Sequence, residues 1–322
     1  MKRFALVLLA LMAATPAAAQ SADTWPDRPV RMIVPFPAGS STDVVGRVLA
    51  QKLSARLGQQ FVVENRSGAS GSLGSDVVAK AAPDGYTLGI ITASTHALAP
   101  ALGSNLPYDP VKDFAPVSMI GDAPYALVLY TGIPVKSVSE LVALAKTKPA
   151  TLNYGSAGLA SLAHLAGALF ASQMGIELTH VPYRSSAQSS IDIITGRLDM
   201  QFASVAPTLS NIRDGKLTAL ATTGRKRVTA LPDVPTMIEA GVPGYDVSLW
   251  MAYAMPAATP APIIAKLNSE LNAILSDPET VEAMQKQGLE PTPGPPDALT
   301  QRIVTETAKW RELVAKTGIK AH

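Results

Sequence analysis

The side chains best suited to chemistry in this sequence are hydroxyls and a carboxylate at a turn between a strand and a helix. The stretch PFPAGSSTDVVGRVLAQKL, residues 35–53, follows an apolar run and opens a helical apolar pattern with Gly39, Ser40, Ser41, Thr42 and Asp43. Such residues cap a helix start, whose first N–H groups lack partners. A helix start with free N–H groups and a partial positive charge also binds anions. This turn therefore predicts either an ordinary helix cap or a seat for an anion.

Four further turns repeat this order of strand, small polar loop and helix start. They are NRSGASGSLG (65–74), with glycine at every third position, TASTH (92–96), NYGSAGLAS (153–161) and VPYRSSAQ (181–188). Because ligands of open α/β sheets bind beyond the carboxyl ends of the strands, we expect the loops of each lobe to lie together. They offer N–H groups and hydroxyls but little formal charge, which predicts a site for one small anion.

Other chemistries lack the residues they need. The chain has no cysteine, which excludes disulfides, a thiol nucleophile and an iron–sulfur cluster. Its four histidines do not have zinc-site spacing, and neither a nucleotide P-loop nor a G-x-S-x-G nucleophile elbow occurs. We therefore expect no metal and no cofactor. His164 is expected to be packed on an apolar helix face, whereas His96 fits either ligand contact or packing at a helix start.

The first residues and the charge balance indicate an exported protein. Residues 1–19 have a basic start, a short apolar stretch and the ending Ala17-Ala18-Ala19, as in a signal peptide, so we predict cleavage after Ala19 and a periplasmic location. Without Lys2 and Arg3 the 25 acidic residues are balanced by 25 basic ones. We expect no nucleic-acid partner and no direct membrane insertion, since a span needs roughly 20 apolar residues.

Two series of strand and helix patterns hold the polar loops. Strands are predicted at 30–34, 61–64, 86–92, 152–154, 178–181, 200–203, 217–222 and 248–255. Helices are predicted from Val44 and over 72–80, 138–146, 161–174 and 187–195, with a helical C-terminal region. The stretch 114–130 is predicted to form two strands, broken by Gly121-Asp122 and by Pro124.

Alternating strand and helix units predict right-handed crossovers and mostly parallel sheets. With a crossing before the second series and a return strand after it, the chain is expected to be an α/β protein of two lobes joined by two hinge strands. We assign residues 25–123 and 246–322 to domain 1 and residues 124–245 to domain 2. A ligand cleft is expected between the two lobes.

Five collinear motifs resemble the Bug family, the extracytoplasmic solute receptors of tripartite tricarboxylate transporters. They are WPDRPVRMIVPFPAGSSTDVVGRVLA, VVENRSGASGSLGSDVVAKAAPDGYTL, NYGSAGLASLAHLAGALF, HVPYRSSAQSSIDIITGRLDM and LPDVPTMIEAGVPGY, followed by Trp250. The resemblance implies a two-lobed periplasmic binding protein of the type II, Venus-flytrap kind, without catalysis. It would bind a dicarboxylate, tricarboxylate or aromatic carboxylate between its lobes as a monomer and deliver it to a membrane permease. The alternatives are an exported serine hydrolase acting in the same cleft and an exported sensor partner.

The resemblance also implies which residues bind the ligand. The stretch 36–43 is similar to the family pattern F-P-A-G-G-x-x-D, with Ser40 at the second glycine, and 181–187 is similar to V-P-Y-K-G-x-x-P, with Arg184 at the lysine. Arg184 fits either a two-bonded carboxylate contact or an exposed cation. Phe36, Tyr183 and Phe202 fit either pocket walls or core positions. The expected ligand-binding residues are Phe36, Ala38, Gly39, Ser40, Ser41, Thr42, Asp43, Ser70, Ser94, Thr95, His96, Ser156, Ala157, Tyr183, Arg184 and Phe202.

Overall fold

Two β-sheets flanked by helices form two lobes in the computed structural model, which describes residues 24–320. The predicted signal peptide, residues 1–19, lies outside the described residues. The strands are β1 (Val30–Val34), β2 (Phe61–Asn65), β3 (Thr87–Thr92), β4 (Phe114–Tyr130), β5 (Asn153–Ser156), β6 (Thr179–Pro182), β7 (Met200–Ser204), β8 (Leu217–Thr222), β9 (Ser248–Pro256) and β10 (Glu290–Pro291).

The helices follow the strands as the alternating pattern predicted. They are α1 (Ser41–Leu57), α2 (Ser72–Ala79), α3 (Ala99–Ala101), α4 (Val138–Thr147), α5 (Leu162–Met174), α6 (Ser186–Ile194), α7 (Val205–Arg213), α8 (Ala261–Leu275), α9 (Pro278–Lys286) and α10 (Pro296–Thr317). A π-helical turn, Ser94–Leu98, precedes α3. Apart from residues 114–130, the predicted strands are confirmed to within two residues at each end. Helix α7 was not predicted.

The first-lobe sheet has the order β2-β1-β3-β9-β4-β10, and the second-lobe sheet has the order β6-β5-β7-β4-β8. In each sheet three neighbouring strands are parallel, and the strands beyond them run antiparallel. The α/β class and the two lobes are therefore confirmed. The prediction of mostly parallel sheets is wrong, because β4, which belongs to both sheets, and β9 run antiparallel to their neighbours. The fixed hand of βαβ units brings the loops after β1 and β3, and those after β5 and β7, to the carboxyl edge of each sheet.

The prediction of two broken strands over 114–130 is wrong, because β4 is one strand of 17 residues that belongs to both sheets. The pairing with β9 shifts register between Pro116 and Ser118 and between Met119 and Gly121, and the strand continues through both shifts. Pro124, which has no N–H, is the last residue paired with β9, and from Tyr125 onward β4 pairs with β7. The strand therefore changes partners without a break.

The chain crosses between the lobes a second time just before β9. Val247 donates its N–H to the Thr223 carbonyl, and Thr223 donates its N–H to the Tyr125 carbonyl. These bonds hold the second crossing beside the partner change in β4. Two adjacent segments thus join the lobes, and the assignment of domains 25–123 with 246–322 and 124–245 stays a prediction.

A buried group of charged side chains, here called the hinge ion cluster, lies behind these crossings. Arg302 of α10 contacts the Asp122 carboxylate at 2.9 Å and the Glu306 carboxylate at 2.5 Å, with only 15% of its side chain exposed. Trp250 of β9 donates its indole N–H to the other oxygen of Glu306 at 2.9 Å. At the exposed edge of the cluster, Arg225, whose side chain is 73% exposed, pairs with Asp246 at 2.6 Å, and Arg302 lies 4.0 Å from Asp246.

Burial raises the pKa of Asp122 to about 6, although the charge of Arg302 opposes that shift. The arginine is therefore the cation that makes two buried carboxylates tolerable at the hinge. Removing one partner from a buried ion pair leaves the remaining charge without compensation.

We expect Arg302→Met to lower the free energy of unfolding by about 3–5 kcal/mol, since Asp122 and Glu306 would keep their burial and lose their cation. Urea unfolding at pH 7 measures the change. The matched control is Lys216→Met, which breaks an ion pair whose side chains are both more than half exposed and should cost about 0–1 kcal/mol. Equal losses in the two variants would contradict a structural role for the cluster.

Candidate functional site

The loop between β1 and α1 is held by a network centred on Asp43. Ser40 is the N-cap of α1, and its hydroxyl accepts a hydrogen bond from the Asp43 N–H. The Asp43 carboxylate accepts the Gly39 N–H at 2.9 Å, the Asn65 amide at 2.8 Å and the Arg47 guanidinium at 3.0 Å. Asn65 also donates to the Phe36 carbonyl at 3.0 Å. Asp43 therefore fixes the shape of this loop.

The electrostatics of Asp43 agree with that role. Burial acts to raise the pKa of its carboxyl, but hydrogen bonds from Arg47, Gly39 and Asn65 outweigh burial and lower the pKa to about 2. Asp43 is therefore an anion at neutral pH, with its oxygens already occupied. A ligand carboxylate would be repelled by it, so any anion seat in this loop depends on N–H groups and hydroxyls.

Glycines pack the three first-lobe loops against one another. A Cβ atom added at Gly71 would lie 2.8 Å from Thr95 and 3.2 Å from the Phe36 ring, and one at Gly74 would lie 2.7 Å from the Pro35 Cα. The glycine at every third position thus lets the loop before α2 approach the loops after β1 and β3. Ser70, exposed and in the left-handed region with φ of 54°, lies at this junction.

Thr95 and His96 lie inside the first lobe, away from solvent. Both side chains have 0% exposure, and the Thr95 hydroxyl contacts the imidazole Nδ1 at 2.8 Å and the backbone of Thr92. His96 packs on Tyr108 and Phe114, and burial lowers its pKa to about 3. Of the two interpretations of His96, ligand contact or packing at a helix start, this geometry supports packing. Ser94 is half-buried at the same turn.

The polar side chains at the loop after β5 also make their contacts within their own lobe. The fully buried Ser156 hydroxyl donates to the Gly158 carbonyl at 2.8 Å and contacts His180 Nε2 at 2.7 Å. His180 stacks on His164 with ring centroids 3.8 Å apart, and His164 Nδ1 accepts the Ala160 N–H. Ser156 thus shapes the loop, and Ala157 beside it is exposed.

The remaining second-lobe candidates have different surroundings. Tyr183 packs beside Gly155 and donates its hydroxyl to the Asp192 carboxylate at 2.9 Å. Arg184 is exposed at the start of α6. Phe202 has 1% exposure and packs edge-on against Phe170. It therefore occupies a core position and is not a pocket wall.

A cavity of about 220 Å³ lies between the lobes beside the two crossings, and we call it the hinge cavity. Its lining comes from the starts of α1 and α7, the partner change in β4, strand β9 and the end of α9. Among the predicted site residues, Ser41 lines this cavity. The lobes touch at its edge, since a Cβ atom added at Gly288 would lie 3.0 Å from Ala206.

Residues 204–207, the second-lobe side of the hinge cavity, were not predicted as ligand-binding residues. Ser204 ends β7, and Pro207 stands in the first turn of α7, where its missing N–H costs nothing. That pattern, a small polar residue after a strand and a proline within the next turn, was the available signal. The Ser204 hydroxyl makes no capping hydrogen bond, so it is free to contact a ligand.

The hinge cavity is mostly apolar, with neutral hydrogen-bond donors and, at the end of α9, Gln287 and the cation Lys286, which is paired with Glu282 at 2.7 Å. Val45, Leu249, Met251 and Leu289 form apolar wall, while Ser41 and Ser204 stand at two helix starts from opposite lobes. Within residues 24–320, no helix combines the length and hydrophobicity required to cross a bilayer. Over the same range, no three His, Asp or Glu side chains are grouped as ligands for a metal ion. The arrangement suits the binding of a small anion with an apolar body.

Comparison with known proteins identifies relatives along nearly the whole chain. BugT of Bordetella pertussis is 40% identical over 306 residues, covering 94% of this chain and 94% of BugT. The structure described as R. palustris Rpa4515 with adipate is 36% identical, with a TM-score of 0.74, covering 92% of this chain and 99% of that one. MatC from Rhodopseudomonas palustris, with bound malate, is 32% identical, with a TM-score of 0.69, covering 90% and 100%.

The family match extends over most of the described residues. Residues 45–319 match the family described as tripartite tricarboxylate transporter family receptor. Its members are solute-binding receptors and not enzymes, which removes the exported hydrolase considered from the sequence. The resemblance of the five motifs to the Bug family is confirmed by BugT. The chain therefore belongs to the receptor family of the tripartite tricarboxylate transporters.

Proposed function

We propose that this protein binds a small carboxylate between its lobes in the periplasm and delivers it to the permease of a tripartite tricarboxylate transporter. The observation that carries the proposal is the hinge cavity, where the starts of α1 and α7 come from different lobes to one apolar space. Two helix starts offer unpaired N–H groups and partial positive charge, which favour an anion. A ligand there would contact both lobes at once.

The relatives support a carboxylate as the ligand. Rpa4515 is described with adipate and MatC with malate, and both are similar to this chain over nine-tenths of its length. The cavity volume of about 220 Å³ is below the roughly 300 Å³ at which pockets for drug-sized ligands begin. We therefore infer a metabolite-sized ligand. The Ser40, Asp43, Thr95 and Ser156 side chains are assigned to shaping the loops and Ser41 to ligand contact.

Binding of carboxylates to the chain from residue 20 onward tests the proposal. We expect adipate, malate or another carboxylate of a mono-, di-, tri- and aromatic panel to raise the free energy of unfolding by about 2.7 kcal/mol at 100 times its Kd. Calorimetric titration measures the affinity, with an uncharged diol of equal length as control. If no carboxylate of the panel binds, the proposal that this protein is a carboxylate receptor is refuted.

The site of signal-peptide cleavage is a separate prediction. Expression of the full chain with its leader should yield periplasmic protein whose first residue is Gln20, because Ala17 and Ala19 form the small-residue cleavage pattern. N-terminal sequencing of the periplasmic fraction checks this. A mature chain that still begins at Met1 would contradict export by this route.

Asp43→Asn should weaken both the fold and ligand binding. The charged acceptor of three hydrogen bonds is lost, which we expect to cost about 1.5–3 kcal/mol of unfolding free energy at pH 7. The folded pKa of about 2 lies below the ordinary value of 3.8, so this contribution is complete above the ordinary value and disappears as the pH falls through 2.

Urea unfolding between pH 7 and pH 3 checks the Asp43 prediction, and calorimetric titration at pH 7 checks binding. The difference between wild type and Asp43→Asn should shrink as the pH falls. Asp214→Asn, which alters an exposed carboxylate of a surface ion pair, is the control and should change neither quantity. A gap between wild type and Asp43→Asn that does not vary with pH would argue against the charged network.

A further inference from the structure

Tyr125 occupies an unusual position, at the point where β4 passes from one sheet to the other. Its N–H donates to the Thr223 hydroxyl at 2.8 Å, and its carbonyl accepts the Thr223 N–H at 2.9 Å. The Thr223 hydroxyl in turn donates to the Val247 carbonyl at 2.5 Å. The backbone of Tyr125 is therefore fixed to both crossings between the lobes, and its side chain lines the hinge cavity.

The hydroxyl of Tyr125, whose side chain is half-buried, takes part in no hydrogen bond within residues 24–320. The buried residues Tyr108, Tyr154 and Tyr245 each donate to a backbone carbonyl, at 3.0, 3.1 and 2.7 Å. Burial raises the pKa of Tyr125 to about 12, so the group keeps its proton and remains a donor. A ligand oxygen in the hinge cavity would accept this hydrogen bond in place of solvent.

Ser204 lies directly across the ladder from Tyr125. The two are register partners of β4 and β7, and paired residues of antiparallel strands point to the same face with Cβ atoms about 4.5–5.5 Å apart. Both line the hinge cavity, and Ser204 leads into the first turn of α7. A phenol, a hydroxyl and a helix start therefore meet on one face of the hinge.

We propose that Tyr125 and Ser204 form a second seat that binds the far carboxylate of an unhydroxylated dicarboxylate. This inference rests on the proposed function, in which the first carboxylate lies at the start of α1 beside Ser41. The α1 and β9 residues that line the cavity beyond Ser41 form an apolar wall of Val45, Leu249 and Met251, and the polar side chains Lys286 and Gln287 lie at the end of α9. A ligand hydroxyl placed against that wall would lose its water without gaining a partner, so hydroxylated ligands are disfavoured.

The two donors of this seat are neutral and recognise the ligand by hydrogen bonding, while the cation that also lines the cavity, Lys286, is paired with Glu282 at 2.7 Å. A site built to hydrogen-bond a ligand oxygen rejects an analogue that lacks it, because its donors are then left unpaired. A monocarboxylate would leave the Tyr125 and Ser204 hydroxyls without acceptors. The second carboxylate should therefore increase affinity through these two residues.

Calorimetric titration with adipate, succinate, malate and butyrate tests the second seat. We expect succinate to bind more tightly than malate, which differs from it by one hydroxyl, and adipate or succinate to bind more tightly than butyrate. Tyr125→Phe, which keeps the ring, should weaken dicarboxylate binding about 10-fold and leave butyrate binding within about 2-fold. Ser204→Ala should act in the same direction.

Tyr130→Phe is the matched control. Tyr130 belongs to the same strand and is half-buried, but it packs over Gly132 and Gly196 and does not line the hinge cavity. The Tyr130→Phe variant should bind every one of these carboxylates with unchanged affinity. A wild type that binds no carboxylate of the wider mono-, di-, tri- and aromatic panel overturns the proposed function together with this inference, and one that binds only tricarboxylates or aromatic carboxylates overturns this inference alone. A wild type that binds dicarboxylates while Tyr125→Phe binds them equally well, or that prefers malate to succinate, overturns the second seat alone.

Discussion

The continuity of β4 is the constraint on which the rest of the structure depends. One strand supplies hydrogen-bonding edges to both sheets, so neither lobe can form its sheet without fixing the chain direction of the other. We therefore expect any relative movement of the lobes to pivot at Pro124–Tyr125 and at the adjacent crossing before β9. Such hinges absorb a change of backbone angles in a few residues while the packed lobes stay rigid.

The residues at the partner change in β4 have two chemically different surroundings. Ala123, Pro124 and Tyr125 line the hinge cavity, whereas Asp122, the residue before them, enters the hinge ion cluster with Arg302. A ligand bound in the cavity would therefore contact the pivot itself, next to the ion cluster on the same strand. Because a ligand shifts the balance of open and closed forms only through contacts that differ between them, contacts at the pivot and at both helix starts are effective ones.

Local signals in the sequence predicted the elements and the loops well. Ser161 and Ser185 each cap the helix that follows them, and the glycines 68, 71 and 74 allow the close approach of the first-lobe loops. The continuity of β4 and the hinge ion cluster were not predicted, because each depends on residues far apart in the chain. Helix α7 was not predicted either, although Ser204 and Pro207 are a local signal for its start. From the sequence alone Pro124 predicts the end of a strand, because the change of partner strand at that residue is not visible there.

The difference between local contacts and contacts across the lobes also explains which polar residues remain available to a ligand. Asp43, Thr95 and Ser156 have the types expected of a binding site, yet their polar atoms are occupied by neighbours in their own loops. Their bonds hold the backbone at the helix starts, where N–H groups have no other acceptor. Ser204 and Tyr125 lie instead at the boundary between lobes, where local structure provides no partner. Donors at such a boundary that have no protein partner are complemented by whatever binds there, so the selectivity of this receptor is expected to reside at its hinge.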